Sequence, residues 1–175
     1  MNRHIFLIGF MGTGKSTVAR ELARLSGTDV CEMDEQIEAD NGMSIKEIFS
    51  RYGESRFREL ETEMCRRFAE LPPAVVSCGG GVAMRPENVA LLKASGIVVL
   101  LKAAPETVYE RVKDSDTRPL LNGQMRVDAI RDLMEQRRAA YESACDLAVD
   151  TDRKTPEEIA REILSEADGQ TAKDA

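Results

Sequence analysis

The chain has 175 residues, 42% hydrophobic and 31% charged, with 24 Lys and Arg against 31 Asp and Glu for a formal net charge of −7. That length suits one domain with its own core rather than two domains and a linker. The composition excludes a disordered chain, and an acidic chain with no long basic run is a poor nucleic-acid binder through its overall field.

In chain order, apolar runs of strand length alternate with amphipathic stretches. "HIFLIGF" predicts a first strand, and it runs straight into "GFMGTGKST". A start of that kind carries no secretory signal, and the longest apolar runs, such as "GIVVLL", fall far below a membrane span. "KSTVARELARLSG" predicts a helix that begins inside the glycine motif and ends at Gly27, followed by a short strand at "DVCEM". Helices are expected over 34–41, 44–52 and 55–70, then a strand "PAVVSC" closed by Gly79, Gly80 and Gly81. "RPENVALLKAS" reads as a helix with proline in its first turn, "GIVVLLK" as a strand and "APETVYERVKD" as a helix. The loop "DSDTRPLLNGQ" leads to a helix over 125–143 and a short strand "LAVD". In the last helix, "TPEEIAREILSEA", Thr155 is a cap, Pro156 takes the first position and Glu158 completes a capping box. The tail "DGQTAKDA" has no apolar periodicity, so a single domain over 1–166 with a frayed tail over 167–175 is expected.

Strands rich in Val, Ile and Leu that alternate with helices predict a three-layer α/β/α fold with a central five-stranded parallel sheet. The four cysteines, Cys31, Cys65, Cys78 and Cys145, form no C-x-x-C pair. They read as reduced, mostly buried thiols of a cytoplasmic protein rather than a zinc site or a disulfide framework.

Gly9 through Ser16 fit G-x-x-x-x-G-K-[ST], with a strand before and a helix after. In such a loop backbone N–H groups turn inward around phosphate oxygens, where side chains would block the approach, and the helix N-terminus faces the same anion. Lys15 would reach the β- and γ-phosphates and the Ser16 hydroxyl would ligate magnesium. Phosphoryl transfer also needs an acceptor pocket at the strand ends. Glu32 and Asp34 stand two apart at the end of the second strand, so both carboxylates could face the crevice; they equally fit an N-cap and an acidic first helical turn. Arg56 and Arg58 share one charged helix, where glutamates at helical spacing make a solvated face the plain reading. Three successive glycines after a buried strand suggest a ligand or another backbone passing close. Residues 114–124 read as a mobile lid carrying Arg118, while Arg137 and Arg138 by themselves are ordinary helix surface.

Together these segments resemble the shikimate kinase family, P-loop kinases with a nucleoside-monophosphate-kinase-like fold, over roughly residues 3–166. "GFMGTGKST" is similar to the family's Walker A loop, "MDEQIEADNGMSIKEIF" to its acidic acceptor segment, and "GESRFRELE" to its Phe-Arg-x-x-Glu segment. "SCGGGVA", "TRPLL", "RRAAY" and "VDTDRKTPEEI" resemble its triple glycine, lid, Arg-x-x-x-Tyr element and adenine-closing segment. The resemblance implies transfer of the ATP γ-phosphate to the 3-hydroxyl of shikimate, with magnesium, in a monomer that binds neither nucleic acid nor membrane. It implies that Asp34 holds the shikimate hydroxyls, that Arg58 and Arg137 bind its carboxylate, and that backbone amides of Gly79, Gly80 and Gly81 contact its ring. Gly12, Thr13, Gly14, Lys15, Ser16 and Thr17 would hold the phosphates, with Lys15 and Arg118 stabilising the transferring group. Arg111 and Arg153 would flank the adenine or the phosphates, and Pro156 would line the adenine pocket. Ser16 would ligate magnesium directly, and Glu32 through water.

Two departures stand out. Glu32-x-Asp34 replaces the family's frequent Asp-x-Asp, and Arg137 to Tyr141 lacks the family's proline, although the spacing to Tyr141 favours Arg137 over Arg138. The competing enzyme reading is another small P-loop kinase acting on gluconate or a nucleoside monophosphate. A nucleotide-dependent switch would carry a guanine-reading N-K-x-D-like segment, which this chain lacks.

Overall fold

Alternate residues of the central strands point to opposite faces, and both faces are apolar. On β1 (His4–Ile8), Ile5 and Leu7 enter one core while Phe6 and Ile8 enter the other. On β4 (Gly96–Lys102), Ile97, Val99 and Leu101 join the first core, and Val98 and Leu100 the second. A strand with two buried faces has to be covered twice. In the computed structural model, which describes residues 2–113 and 126–171, this is what happens. Helices α1 (Lys15–Ser26) and α7 (Pro156–Thr171) close one face through Val18, Leu22, Ile159 and Ile163. The other face is closed by α2 (Met33–Asn41), α3 (Ile45–Arg67), α4 (Pro86–Ser95), α5 (Pro105–Val112) and α6 (Val127–Ala144), through Ile37, Phe57, Leu92, Val108 and Ile130.

With β2 (Asp29–Glu32), β3 (Ala74–Ser77) and β5 (Leu147–Asp150), the sheet has the expected five parallel strands, and their order is β2-β3-β1-β4-β5. The chain leaves β1 for β2 on one side, while β3 crosses past β1 to reach β4. Such a reversal opens a crevice at the carboxyl ends of the strands, where α/β folds bind ligands. The glycine loop follows β1, Glu32 ends β2 and the triple glycine follows β3, so all three meet at this rim.

The helix ends differ from expectation in instructive ways. The two helices expected on either side of residue 53 are present as the two arms of α3, which meet at Gly53, whose non-helical φ of 80° and ψ of 171° are open to glycine. Helix α3 starts from a capping box, Ser44 with Glu47, and its last expected turn is a 3-10 turn over Phe68–Glu70. Helix α7 runs on to Thr171, so residues 167–171 are helical rather than frayed, because Ala167 packs into the core against the α1 face. At its start Thr155 and Glu158 form the expected box, with Glu158 Oε2 accepting from Thr155 N at 2.7 Å. The lone histidine is structural: His4 Nδ1 accepts from Ala74 N at 3.1 Å, so its Nε2–H donates to the Phe68 carbonyl at 2.8 Å.

Only Cys65 and Cys78 are buried; Cys31 and Cys145 are half-exposed, which corrects the reading of mostly buried thiols. Burial pushes the Cys65 thiol up to about 12 and the Cys78 thiol well above the ordinary range. Burial also raises Cys31 and Cys145, but both reach solvent, so iodoacetamide at alkaline pH is expected to label these two in the folded protein and Cys65 and Cys78 only after denaturation, as peptide mapping would read.

Candidate active site

The glycine loop is shaped by its own backbone. Gly12 sits at φ 74°, and a Cβ there would lie 2.7 Å from Val112 Cγ1, so α5 packs directly on the loop. Gly14 caps α1 in a left-handed conformation at φ 92°. Lys15 Nζ donates to the carbonyls of Gly9 at 2.9 Å and Phe10 at 3.0 Å, which holds the ammonium over the loop mouth. Thr13 is buried, its hydroxyl donating to the Phe10 carbonyl at 2.8 Å, so its side chain shapes the loop and does not line the cleft. Gly12, Gly14, Lys15, Ser16 and Thr17 line a cleft of about 390 Å³ together with Glu32, Asp34, Gly79, Gly80 and Arg111.

Arg111 borders the glycine-loop end of the cleft. Its Nη1 donates to the Gly12 carbonyl at 3.0 Å and lies 3.5 Å from the Thr151 hydroxyl. Arg153 and Pro156 stand just beyond, in the turn from β5 into α7, outside the residues lining the cleft. That turn is tied to the start of α5 by the bond from Ala104 N to Asp152 Oδ2 at 2.9 Å. Arg153 is exposed and holds a left-handed φ of 59°. Arg118 and the expected lid over 114–124 lie outside the described residues.

Ser16 Oγ donates to Glu32 Oε2 at 2.9 Å and lies 3.4 Å from Ser77 Oγ. Glu32 Oε1 is buried without a hydrogen-bond partner, with the Arg20 guanidinium 3.7 Å away. A hydroxyl that gives its proton to a carboxylate keeps its lone pairs for a cation, and a buried carboxylate oxygen without a donor suits a cation's water. These residues therefore fit magnesium. No cluster of three or more His, Cys, Asp or Glu able to hold a metal occurs among the described residues, as suits an ion held largely by water and phosphate.

Glu32 and Asp34 do not share a strand face. Glu32 ends β2 as the residue before α2, and Asp34 belongs to the first turn of that helix, yet both line the cleft. Asp34 faces Gly79: a Cβ there would lie 2.8 Å from Asp34 Oδ1 and 2.8 Å from Glu61 Oε1. Arg58 is far from the solvated face that its helix suggests, with its side chain 17% exposed and that of Glu61 0%. Arg58 Nη1 donates to Glu61 Oε2 at 2.7 Å and Nη2 to Glu54 at 3.0 Å. Its guanidinium lies against Gly81, where a Cβ would be 2.1 Å from Nη1 and 2.6 Å from Cζ. Gly81→Ala is therefore expected to evict the guanidinium, raising KM for the acceptor by about tenfold or more with KM for the nucleotide unchanged in steady-state kinetics.

On α6 the two neighbouring arginines separate cleanly. Arg137 stacks over the Phe10 ring, 5.7 Å from its centroid, and approaches Gly80, whereas Arg138 pairs with Glu135 at the surface at 2.7 Å. Tyr141, one turn on and buried, donates to the Gly80 carbonyl at 2.5 Å and so ties α6 to the triple glycine. Burial raises its phenol pKa, with Arg137 working in the opposite direction.

Sequence reasoning gave no role to Glu61. Burial pushes its carboxyl above the usual range, and the Arg58 contact only partly offsets this. The Arg58-x-x-Glu61 spacing was visible but matches any solvated helical pair. Ser77 and Cys78 also line the cleft and carried no signal of their own.

A parallel sheet whose first strand feeds a phosphate loop, with Glu32 and Asp34 lining the same cleft and Arg58 and Arg137 outside its lining but beside the triple glycine, suits a P-loop phosphotransferase for a small anionic acceptor. The family model for shikimate kinase matches residues 11–168. The shikimate kinase of Thermodesulfovibrio yellowstonii is 43% identical over 164 residues, spanning 94% of each chain. Among solved structures, shikimate kinase from Acinetobacter baumannii in complex with shikimate is similar at a TM-score of 0.87 and 33% identity, covering 93% of this chain and 91% of that one. Shikimate kinase from Aquifex aeolicus is similar at 0.82 and 38%, covering 96% and 98%. The chain belongs to the shikimate kinase family.

Proposed function

We propose that this protein transfers the γ-phosphate of ATP to the 3-hydroxyl of shikimate, giving shikimate 3-phosphate and ADP. What carries the reading is the triple-glycine turn, flanked by Asp34 at Gly79 and by the Arg58 guanidinium at Gly81. A carboxylate that can accept from hydroxyls and a guanidinium that can grip a carboxylate stand either side of bare backbone. That pattern suits a small hydroxylated acid.

The glycine loop from Gly12 to Thr17 cradles the triphosphate, and Lys15 exchanges its loop carbonyls for phosphate oxygens. Ser16, and Glu32 through water, would hold magnesium, which would supply neutralisation of phosphate charge. Asp34 orients the acceptor hydroxyl toward the cradle; a loose transition state asks more for orientation than for a strong base. Arg58 and Arg137 fix the acceptor carboxylate, Gly79, Gly80 and Gly81 offer backbone to its ring, and Arg111, Arg153 and Pro156 border the adenine. The protein works as a single-domain monomer in the cytoplasm.

The test is a coupled phosphorylation assay with ATP and magnesium across shikimate, gluconate and nucleoside monophosphates. Shikimate should be consumed far above the ATPase background. Turnover of gluconate or a nucleoside monophosphate without shikimate would overturn the proposal.

A further inference from the structure

The two halves of the acceptor site come from different elements and need a common register. Arg58 belongs to α3, whereas Gly81 follows β3, and the guanidinium occupies the space that a side chain at residue 81 would take. The ion pairs of Arg58 cannot set that register, because Glu54 and Glu61 both lie on its own helix. A tie does exist behind the site. Asn88 on α4 is 0% exposed and Thr62 on α3 is 4% exposed. The Thr62 hydroxyl donates to Asn88 Oδ1 at 2.7 Å, and Asn88 Nδ2 donates to the carbonyl of Val82, the residue after Gly81, at 3.1 Å.

The hydroxyl has one proton and a choice of acceptors, since the Arg58 carbonyl stands 3.1 Å away. The shorter bond favours Asn88. The Arg58 carbonyl is served by Arg85, whose Nη1 lies 3.3 Å from it and 3.4 Å from Thr62 Oγ1. A buried relay therefore runs from the Arg58 backbone through Arg85, Thr62 and Asn88 to the backbone just past the triple glycine. An apolar side chain would fill this space without fixing distances, whereas a satisfied amide sets them.

We propose that Asn88 is a positioning residue for the acceptor site, acting through Thr62 and Val82 to hold the Arg58 helix against the triple-glycine turn. The proposal rests on the function proposed above. It is tested by steady-state kinetics, with unfolding midpoints, on Asn88→Ala, on Thr62→Val, which keeps shape and loses the hydroxyl, and on Thr62→Ser, which keeps the hydroxyl. Asn88→Ala and Thr62→Val should each raise KM for shikimate about tenfold and leave KM for ATP unchanged, with Thr62→Ser close to the unsubstituted protein. The double variant should be no worse than the more affected single one, because one relay is broken once. If KM for both substrates moves together, or only the unfolding midpoint falls, these residues are ordinary core and the proposal is wrong. Should Asn88→Ala fail to fold, the Thr62 pair decides. If the unsubstituted protein phosphorylates a different acceptor, the functional proposal fails, and the positioning claim is read from KM for that acceptor.

Discussion

Lys15→Ala is expected to lower the rate of phosphoryl transfer by about a thousandfold while the fold and most of the ATP affinity survive. The reaction asks the protein for charge neutralisation more than for covalent chemistry, so a cation aimed at the transferring group acts mainly in the transition state. Lys15 is held by two carbonyls of its own loop, and the loop does not depend on those bonds alone. Thr13 still donates to the Phe10 carbonyl, and Arg111 still donates to that of Gly12. Single-turnover rates with saturating ATP, beside ATP affinity from titration, separate the two effects. A variant that turns over near normally would remove Lys15 from the mechanism, and equal loss of binding and rate would make it a loop-building residue.

Arg58→Ala carries two expected losses that can be separated. KM for the acceptor should rise about a hundredfold, because a charge-assisted contact to the acceptor carboxylate disappears. Stability should fall by about 3 kcal/mol, because Glu61 keeps its buried carboxylate and loses its partner. With a carboxyl already raised by burial, the sign of the pH dependence is fixed. A raised folded-state value favours the fold at low pH, and that benefit is lost as pH rises through it. The stability deficit of Arg58→Ala is then largest at neutral pH and shrinks on acidification, since protonated Glu61 no longer calls for a cation. Adding Glu61→Gln should restore most of the urea midpoint at neutral pH and none of the acceptor affinity. Recovery of both together would mean that Arg58 serves the fold and does not hold the acceptor.

This pair also marks how far sequence alone could reach. The phosphate loop was legible because its chemistry is local: backbone amides, a lysine and a hydroxyl at fixed spacing between a strand and a helix. Strand alternation was legible for a similar reason, since two apolar faces on β1 and β4 leave few alternatives to a doubly covered parallel sheet. Arg58 was not legible on the same terms. Arg56, two residues earlier, also has a glutamate three positions on, and both read as helical ion pairs; only the fold leaves the first more open to solvent and half-buries the second. Arg137 and Arg138 differ just as little in sequence, and facing Phe10 or Glu135 depends on how α6 lies across the loop. Asn88 gave no signal, because one asparagine on a short helix has the pattern of a surface residue, and its burial follows from α4 packing behind the triple glycine.

The arginines of the cleft sit inside a molecule of formal net charge −7. At low ionic strength an approaching anion therefore meets repulsion from the whole before attraction from the site. Mobile ions remove the distant part first, since at about 0.15 M salt charges more than about 8 Å apart are largely screened, while the half-buried Arg58 keeps most of its pull. Moderate salt should thus speed the encounter with both anionic substrates, and the slowing common in oppositely charged partners should set in only at higher concentrations.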